Sequence, residues 1–181
     1  MILGVGTGER AIEILETWRG SILYLVDPYI HIWKGYDSVE NVDDREHQMR
    51  FERLRNYFEN NKRFQGRYSF AREFSFSFAR IWKEKGWMPH HSFLYVDNNP
   101  IDSAVELDLK EWWPLLEPGA MITGSHYQQV QRAVNEFADK HRMQVFVAPV
   151  DQTWLMMKPM PDYLDDASVE VRPQALAHSE F

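Results

Sequence analysis

"MILGVGTGERAIEILETWRGSILYLVD" (residues 1–27) decides the fold of this chain. Residues 2–5 are short and apolar, glycines stand at 4, 6 and 8, and "ERAIEILETW" then spaces Ala11, Ile12, Leu15 and Trp18 at near-helical intervals. Gly20 is a plausible helix stop, and "SILYLVD" is an unbroken apolar run ending in an acid, the pattern of a parallel strand buried on both faces. The unit is strand, glycine turn, helix, strand.

The alternation continues. "PYIHIWKGYDSVENVDD" reads as a long loop, and from Asp43 onward "DDREHQMRFERLRNYFENN" reads as a helix with acids in its first turn and Met49, Leu54, Tyr57 and Phe58 as a loose apolar face. "RYSFARE" is a third strand, "FSFSFARIWKEKG" a helix, and "SFLYVD" another apolar strand closed by Asp97. "DSAVELDLKEWWPLL" is a helix stopped by a turn at "EPGA", "AMITGSHY" is the fifth strand and turn, and "QQVQRAVNEFADKH" carries Val130, Val134, Phe137 and Ala138 along a helix. "MQVFVAPV" and "TWLMMKP" are separated by so few residues that they form an antiparallel hairpin at the end of the sheet. The expectation is one α/β domain over residues 1–159, followed by a C-terminal tail or edge extension over 160–181.

Composition bounds the function. With 44% hydrophobic and 26% charged residues the chain is an ordinary globular protein. A net charge of -7 argues against wrapping a phosphate backbone, so no nucleic-acid partner is expected. No apolar run approaches the roughly 18 residues of a membrane span, no signal peptide opens the chain, and cytoplasm is the default location with no membrane partner. Zero cysteines exclude disulfides and thiolate chemistry, so any metal site must use His, Asp or Glu. His90 and His91 resemble a metal pair, but neighbours on a strand point to opposite sides, so both are expected at the surface, and no metal site is assigned. Trp112 and Trp113 belong to an apolar helix stripe and read as packing.

Ligands in doubly wound sheets bind outside the carboxyl ends of the strands, which directs attention to residues 4–8, Asp27, 73–75, 97–100 and 125–127. Gly4, Gly6 and Gly8 let a ligand approach the backbone, and the following helix offers free N–H groups. Asp27 at the end of the second strand can accept both hydroxyls of a ribose, so turn and acid together suggest an adenosine-containing ligand. An NAD site would want glycine or alanine where Glu9 stands.

These residues resemble the class I S-adenosylmethionine-dependent methyltransferases, and within them the type-24 methyltransferase domains. The resemblance rests on "GVGTGE", on "VDPYIHIWKGYDSVENVDDREH", on "FLYVDNNPIDSAVELDLKEWWPLLEPGAMITGSHY", on "AVNEF" and on "TWLMMKP". It implies a Rossmann-like seven-stranded sheet with its last strand antiparallel, S-adenosylmethionine as cofactor, and a small-molecule methyl acceptor. It further implies that Gly4, Gly6, Thr7 and Gly8 face the methionine end of the cofactor, Asp27 and Pro28 the ribose, and Phe74 with Ser75 the adenine. Asp97 would lie beside the transferring methyl, and Asn98 would join the cofactor-binding residues. On that pattern the sequence is expected to begin inside the first strand, without the helix that such domains place before it.

Departures from the family pattern leave the activity open. Ile2 stands where the family carries an acid, Pro100 replaces a histidine, Asp102 a tyrosine, and His126 an aspartate. The hypothesis is transfer to an oxygen nucleophile with His126 or Asp97 as base, histidine being favoured because it titrates near neutrality. The loop from His31 to Asp44 is expected to cover the acceptor, through Tyr36, Asp37 and Asn41. The alternative is a degenerate cofactor-binding protein that acts by interaction or regulation. Homo-oligomerisation is left open.

Overall fold

A computed structural model describes residues 1–86 and 91–161. Its strands are β1 (Ile2–Leu3), β2 (Leu23–Val26), β3 (Tyr68–Ala71), β4 (His91–Val96), β5 (Leu116–Gly124), β6 (Phe146–Val147) and β7 (Trp154–Met157). Its α-helices are α1 (Glu9–Thr17), α2 (Asp44–Asn60), α3 (Ser75–Glu84), α4 (Asp102–Trp112) and α5 (Tyr127–Lys140). The strands form one seven-stranded sheet in the order β3-β2-β1-β4-β5-β7-β6. All pairs from β3 to β5 are parallel, and β7 runs antiparallel to both β5 and β6. The doubly wound sheet and its terminal hairpin are those expected from the sequence, with β7 inserted between its neighbours.

Side-chain alternation explains why the central strands are apolar throughout. Leu3, Val26, Leu94 and Val96 join α3, α4 and α5 in one buried cluster, while Ile2, Leu25 and Tyr95 join α1 and α2 in another. Each central strand therefore feeds two cores, one on either face. The strand order reverses between β1 and β4, and this switch point opens the crevice where such sheets bind ligands.

Local signals account for the helix ends. Asp43 caps α2 by accepting the N–H of Glu46 at 2.8 Å, as its first-turn acids suggested. The "EPGA" stretch departs from expectation: it lies inside β5, and the register of β5 on β4 shifts between His91 and Phe93. Gly119, with φ 77°, lets the strand continue through this irregularity, and its N–H donates to the Lys158 carbonyl at 2.9 Å. His91 also departs from expectation, being buried against the rings of Tyr24, Trp82 and Trp112. His90 lies outside the described residues, as does nearly all of the tail expected over 160–181. Trp112 is fully buried.

Candidate active site

The carboxyl ends of β1, β2 and β4 surround a cleft of about 780 Å³, lined by Gly4, Gly6, Thr7, Asp27, Pro28, Phe74, Ser75, Asp97, Asn98 and His126 among others. Nine of the ten residues expected to hold a cofactor therefore converge, and His126 joins them. Gly8 does not line the cleft. It caps α1 with φ 85°, and a Cβ there would collide with the Leu54 side chain, so this glycine serves the packing of α2 on the turn.

The three glycines have three different reasons. A Cβ at Gly4 would overlap the backbone carbonyl of Asp97, so this residue lets the end of β1 press against the end of β4. At Gly6, with φ 53°, a Cβ would meet nothing within 4 Å. Gly6 is thus the position where a ligand can approach bare backbone.

Asp27 pins this turn. One carboxylate oxygen accepts the N–H groups of Val5 (2.8 Å) and Gly6 (3.0 Å), and the other accepts the N–H of Tyr29 (2.8 Å). A carboxylate offers about four lone-pair directions, so one remains for a ribose hydroxyl where the sequence suggested room for two. Tyr29 completes the clamp. It holds the left-handed φ of 48°, is buried, and donates its hydroxyl to the Gly6 carbonyl at 3.1 Å. Burial pushes the Tyr29 hydroxyl's pKa up, so it stays a donor.

Asp97 and His126 face each other at the ends of β4 and β5. His126 Nε2 lies 4.0 Å from Asp97 Oδ1, and the same oxygen accepts the Ser125 hydroxyl. Burial raises the Asp97 pKa, an effect opposed by Ser125 and by His126. His126 adopts φ 56° as the N-cap of α5, and its side chain is half exposed. A non-glycine residue in the left-handed region is strained, and such strain gathers at functional positions.

A third group was not visible in the sequence. Asp108 of α4 is 1% exposed and accepts hydrogen bonds from the Ser75 hydroxyl and the Asn98 side-chain amide. Burial lifts its pKa to about 6. The Oδ1 atom of Asn98 is buried with no hydrogen-bond partner.

A second cavity of about 540 Å³ adjoins the cleft and shares Tyr36, Asp37, Asn99 and Pro100 with it. Its roof is the loop expected to cover an acceptor. Asn41 holds that loop together, accepting the Ile32 N–H and donating to the Ile32 and Tyr36 carbonyls. Asn99 Nδ2 ties it to the end of β4 through the Gly35 carbonyl at 2.6 Å. Trp33 and Val39 stand 85% and 91% exposed at the mouth, an apolar rim with no core to join. Asp102 is turned elsewhere, accepting Arg132 Nε and the Ala133 N–H at 3.0 Å each.

Among the described residues no three His, Cys, Asp or Glu side chains gather to hold a metal ion, and no helix is long and apolar enough to cross a membrane. No family model and no curated protein matches the chain, so membership of the type-24 family stays an expectation. Solved structures do match. The O-methyltransferase NovP is 16% identical with a TM-score of 0.56, over 88% of this chain and 70% of that one. An O-methyltransferase from Bacillus cereus in complex with SAH is 11% identical with a TM-score of 0.53, over 86% and 71%. An rRNA methylase from Streptococcus thermophilus is 10% identical with a TM-score of 0.54, over 88% and 84%. The fold is shared with these solved methyltransferases.

Proposed function

We propose that this chain binds S-adenosylmethionine in the larger cleft and methylates a hydroxyl oxygen of a small molecule seated in the adjoining cavity. The observation that carries this reading is the pairing of Asp97 with His126 in the same cleft that the bare backbone of Gly6 lines. The residues fit such a cofactor. The cleft has the volume for it, Gly6 leaves room, Asp27 retains one acceptor direction, and Asn98 Oδ1 is an unsatisfied acceptor. When bound, the cofactor supplies a methyl group on a sulfonium, whose departure as a thioether needs no acid from the protein.

The chain's own residues then have three tasks. The loop held by Asn41 and Asn99 positions the acceptor. His126 Nε2 takes the proton from the acceptor hydroxyl. Asp97, which Ser125 holds in place, stabilises the imidazolium that forms. The net charge of -7 favours a small acceptor over RNA, although rRNA methylases share the fold.

A second reading is a cofactor-binding protein without turnover. It is favoured by Ile2, which is buried in the core where the family carries an acid, and by Asp27, which is mostly occupied by the turn. Calorimetry with S-adenosylmethionine and S-adenosylhomocysteine tests the shared premise: absence of heat with both at millimolar ligand overturns either reading. A methyl-donor turnover screen against hydroxylated small molecules separates the two, since activity reduced by His126→Ala supports the enzyme and binding without turnover supports the alternative.

A further inference from the structure

The net charge of -7 is divided unevenly between the two edges of the sheet. Among the described residues, the connections that lead from an α-helix into the next strand carry Arg19, Lys62, Arg63, Arg67, Lys85 and Arg142 and no acid. At the carboxyl edge, where both cavities lie, the balance is reversed. Asp27, Asp37, Glu40 and Asp43 stand between β2 and α2, and Glu73, Asp97 and Asp151 in the shorter connections that follow β3, β4 and β6, against only Lys34 and Arg72. A cleft with low-dielectric walls focuses the field of its own charges, so this edge draws cations in and turns anions away.

Inside the larger cleft the imbalance persists. Arg10 and Arg50 are the only lysine or arginine residues lining it, and each is already held by a glutamate, Arg10 by Glu13 at 2.7 Å and Arg50 by Glu40 at 2.6 Å. Glu9, Asp27, Asp37 and Asp97 line it without an ion pair to a lysine or arginine among the described residues. The field extends to the acceptor cavity. Burial above all, with the charges of Glu40, Asp27 and Asp97 adding to it and a bond to Ser38 opposing it, pushes up the pKa of the Tyr36 hydroxyl on the wall that the two cavities share.

The acceptor cavity also holds the two kinds of group that recognise an alkylammonium. Asp37 lines it and makes no ion pair or side-chain hydrogen bond among the described residues. Trp33 and Tyr36 bring aromatic rings, whose faces attract a cation through their quadrupole. Trp33 is 85% exposed with the His31 ring at 79° to it, so most of the indole is free for a ligand. Lys34 is the one cation of this lining, and it lines the smaller cavity alone, whereas Asp37 lines both.

Resting on the methyl-transfer reading above, we propose that the acceptor is itself a cation: a hydroxylated molecule with an aliphatic amine, whose ammonium is held by Asp37 and the rings of Trp33 and Tyr36 while its hydroxyl is offered to His126.

The test uses three phenols that differ in the charge of the tail: 4-hydroxyphenethylamine, 4-hydroxyphenethyl alcohol and 4-hydroxyphenylacetate. Each is titrated by calorimetry into the full chain saturated with S-adenosylhomocysteine, at low and at high salt. The amine is expected to bind about tenfold more tightly than the carboxylate at low salt, with the alcohol between them and the gap narrowing as salt screens it. Asp37→Asn is expected to weaken the amine about fivefold and to leave the alcohol unchanged. Asp37 has no partner to lose, and a thermal melt checks that the variant folds. A carboxylate that binds as tightly as the amine, and is lost in Lys34→Gln, overturns the proposal and assigns the cavity to anions. An undiminished preference in folded Asp37→Asn, or no binding of any of the three to the loaded protein, overturns it too. Failure of S-adenosylhomocysteine itself to bind overturns the methyl-transfer reading, a separate outcome seen before any phenol is added.

Discussion

Asp27 and Gly6 are joined by a 3.0 Å hydrogen bond from the glycine's backbone N–H to the carboxylate, so the acid at the end of β2 shapes the turn at the end of β1 before any ligand arrives. Two further amides share that carboxylate, from Val5 and Tyr29. Asp27→Ala strands three donors and is expected to lower stability by about 3 kcal/mol, because bonds to a charged acceptor are each worth more than neutral ones. Urea unfolding measures this. A residue that merely touched a ribose would weaken ligand binding without moving the unfolding midpoint.

Gly4 and Gly6 should respond differently to the same change. Gly4→Ala puts a Cβ into the Asp97 carbonyl, parting β1 from β4, and should destabilise the protein strongly. Gly6→Ala places its Cβ in open space and bears only the strain of φ 53°, on the order of 1 kcal/mol. A folded Gly6→Ala that no longer binds S-adenosylhomocysteine, set beside a Gly4→Ala that melts early, would be the expected pair of results.

Asp108 gives the protein a signed pH dependence. Burial raises its pKa from 3.8 to about 6, so the folded state prefers the neutral form. Its contribution to stability is full below about pH 4 and is lost as pH rises through 6. Asp108→Asn should therefore be more stable than the native protein at pH 7.5, by up to about 3 kcal/mol, with the advantage shrinking toward pH 4. Denaturant melts of both proteins across that range check it, and a constant difference would contradict the assignment.

Turnover, once an acceptor is found, should depend on His126 and Ser125 in distinct ways. His126→Ala removes the proposed base and should lower kcat about 100-fold. Ser125→Ala removes a hydrogen bond that holds the Asp97 pKa down against burial. It should lower kcat less than His126→Ala does, since it loosens the partner that stabilises the imidazolium and keeps the base itself.

Much of the fold could be read because its signals are local. An apolar run that serves two cores looks the same in sequence as in structure, and "SILYLVD" and "SFLYVD" became β2 and β4 as expected. The glycine triplet announced a turn, but not that Gly8 answers to Leu54 and Gly4 to Asp97, since those partners lie far along the chain. Asp108 sits in "VELDL", where an acid on a helix ordinarily faces water. Only the approach of Ser75 and Asn98 buries it. "EPGA" carries two strong turn formers, yet the strand runs through them as an irregularity between the pairs Leu116–His91 and Met121–Phe93, with Gly119 and Ala120 bonded to the Lys158 backbone. His91 was placed at the surface because a strand start says nothing of the rings of Trp82 and Trp112 that close over it.

The clamp that Asp27 and Tyr29 close on the glycine turn has a kinetic and entropic corollary. A loop already held in shape by its own hydrogen bonds loses little conformational freedom when a partner docks on it, so under the proposed cofactor reading the ordering cost of binding is small. Association then resembles a key entering a rigid slot, with affinity set by how quickly the ligand escapes and not by how often the protein is ready.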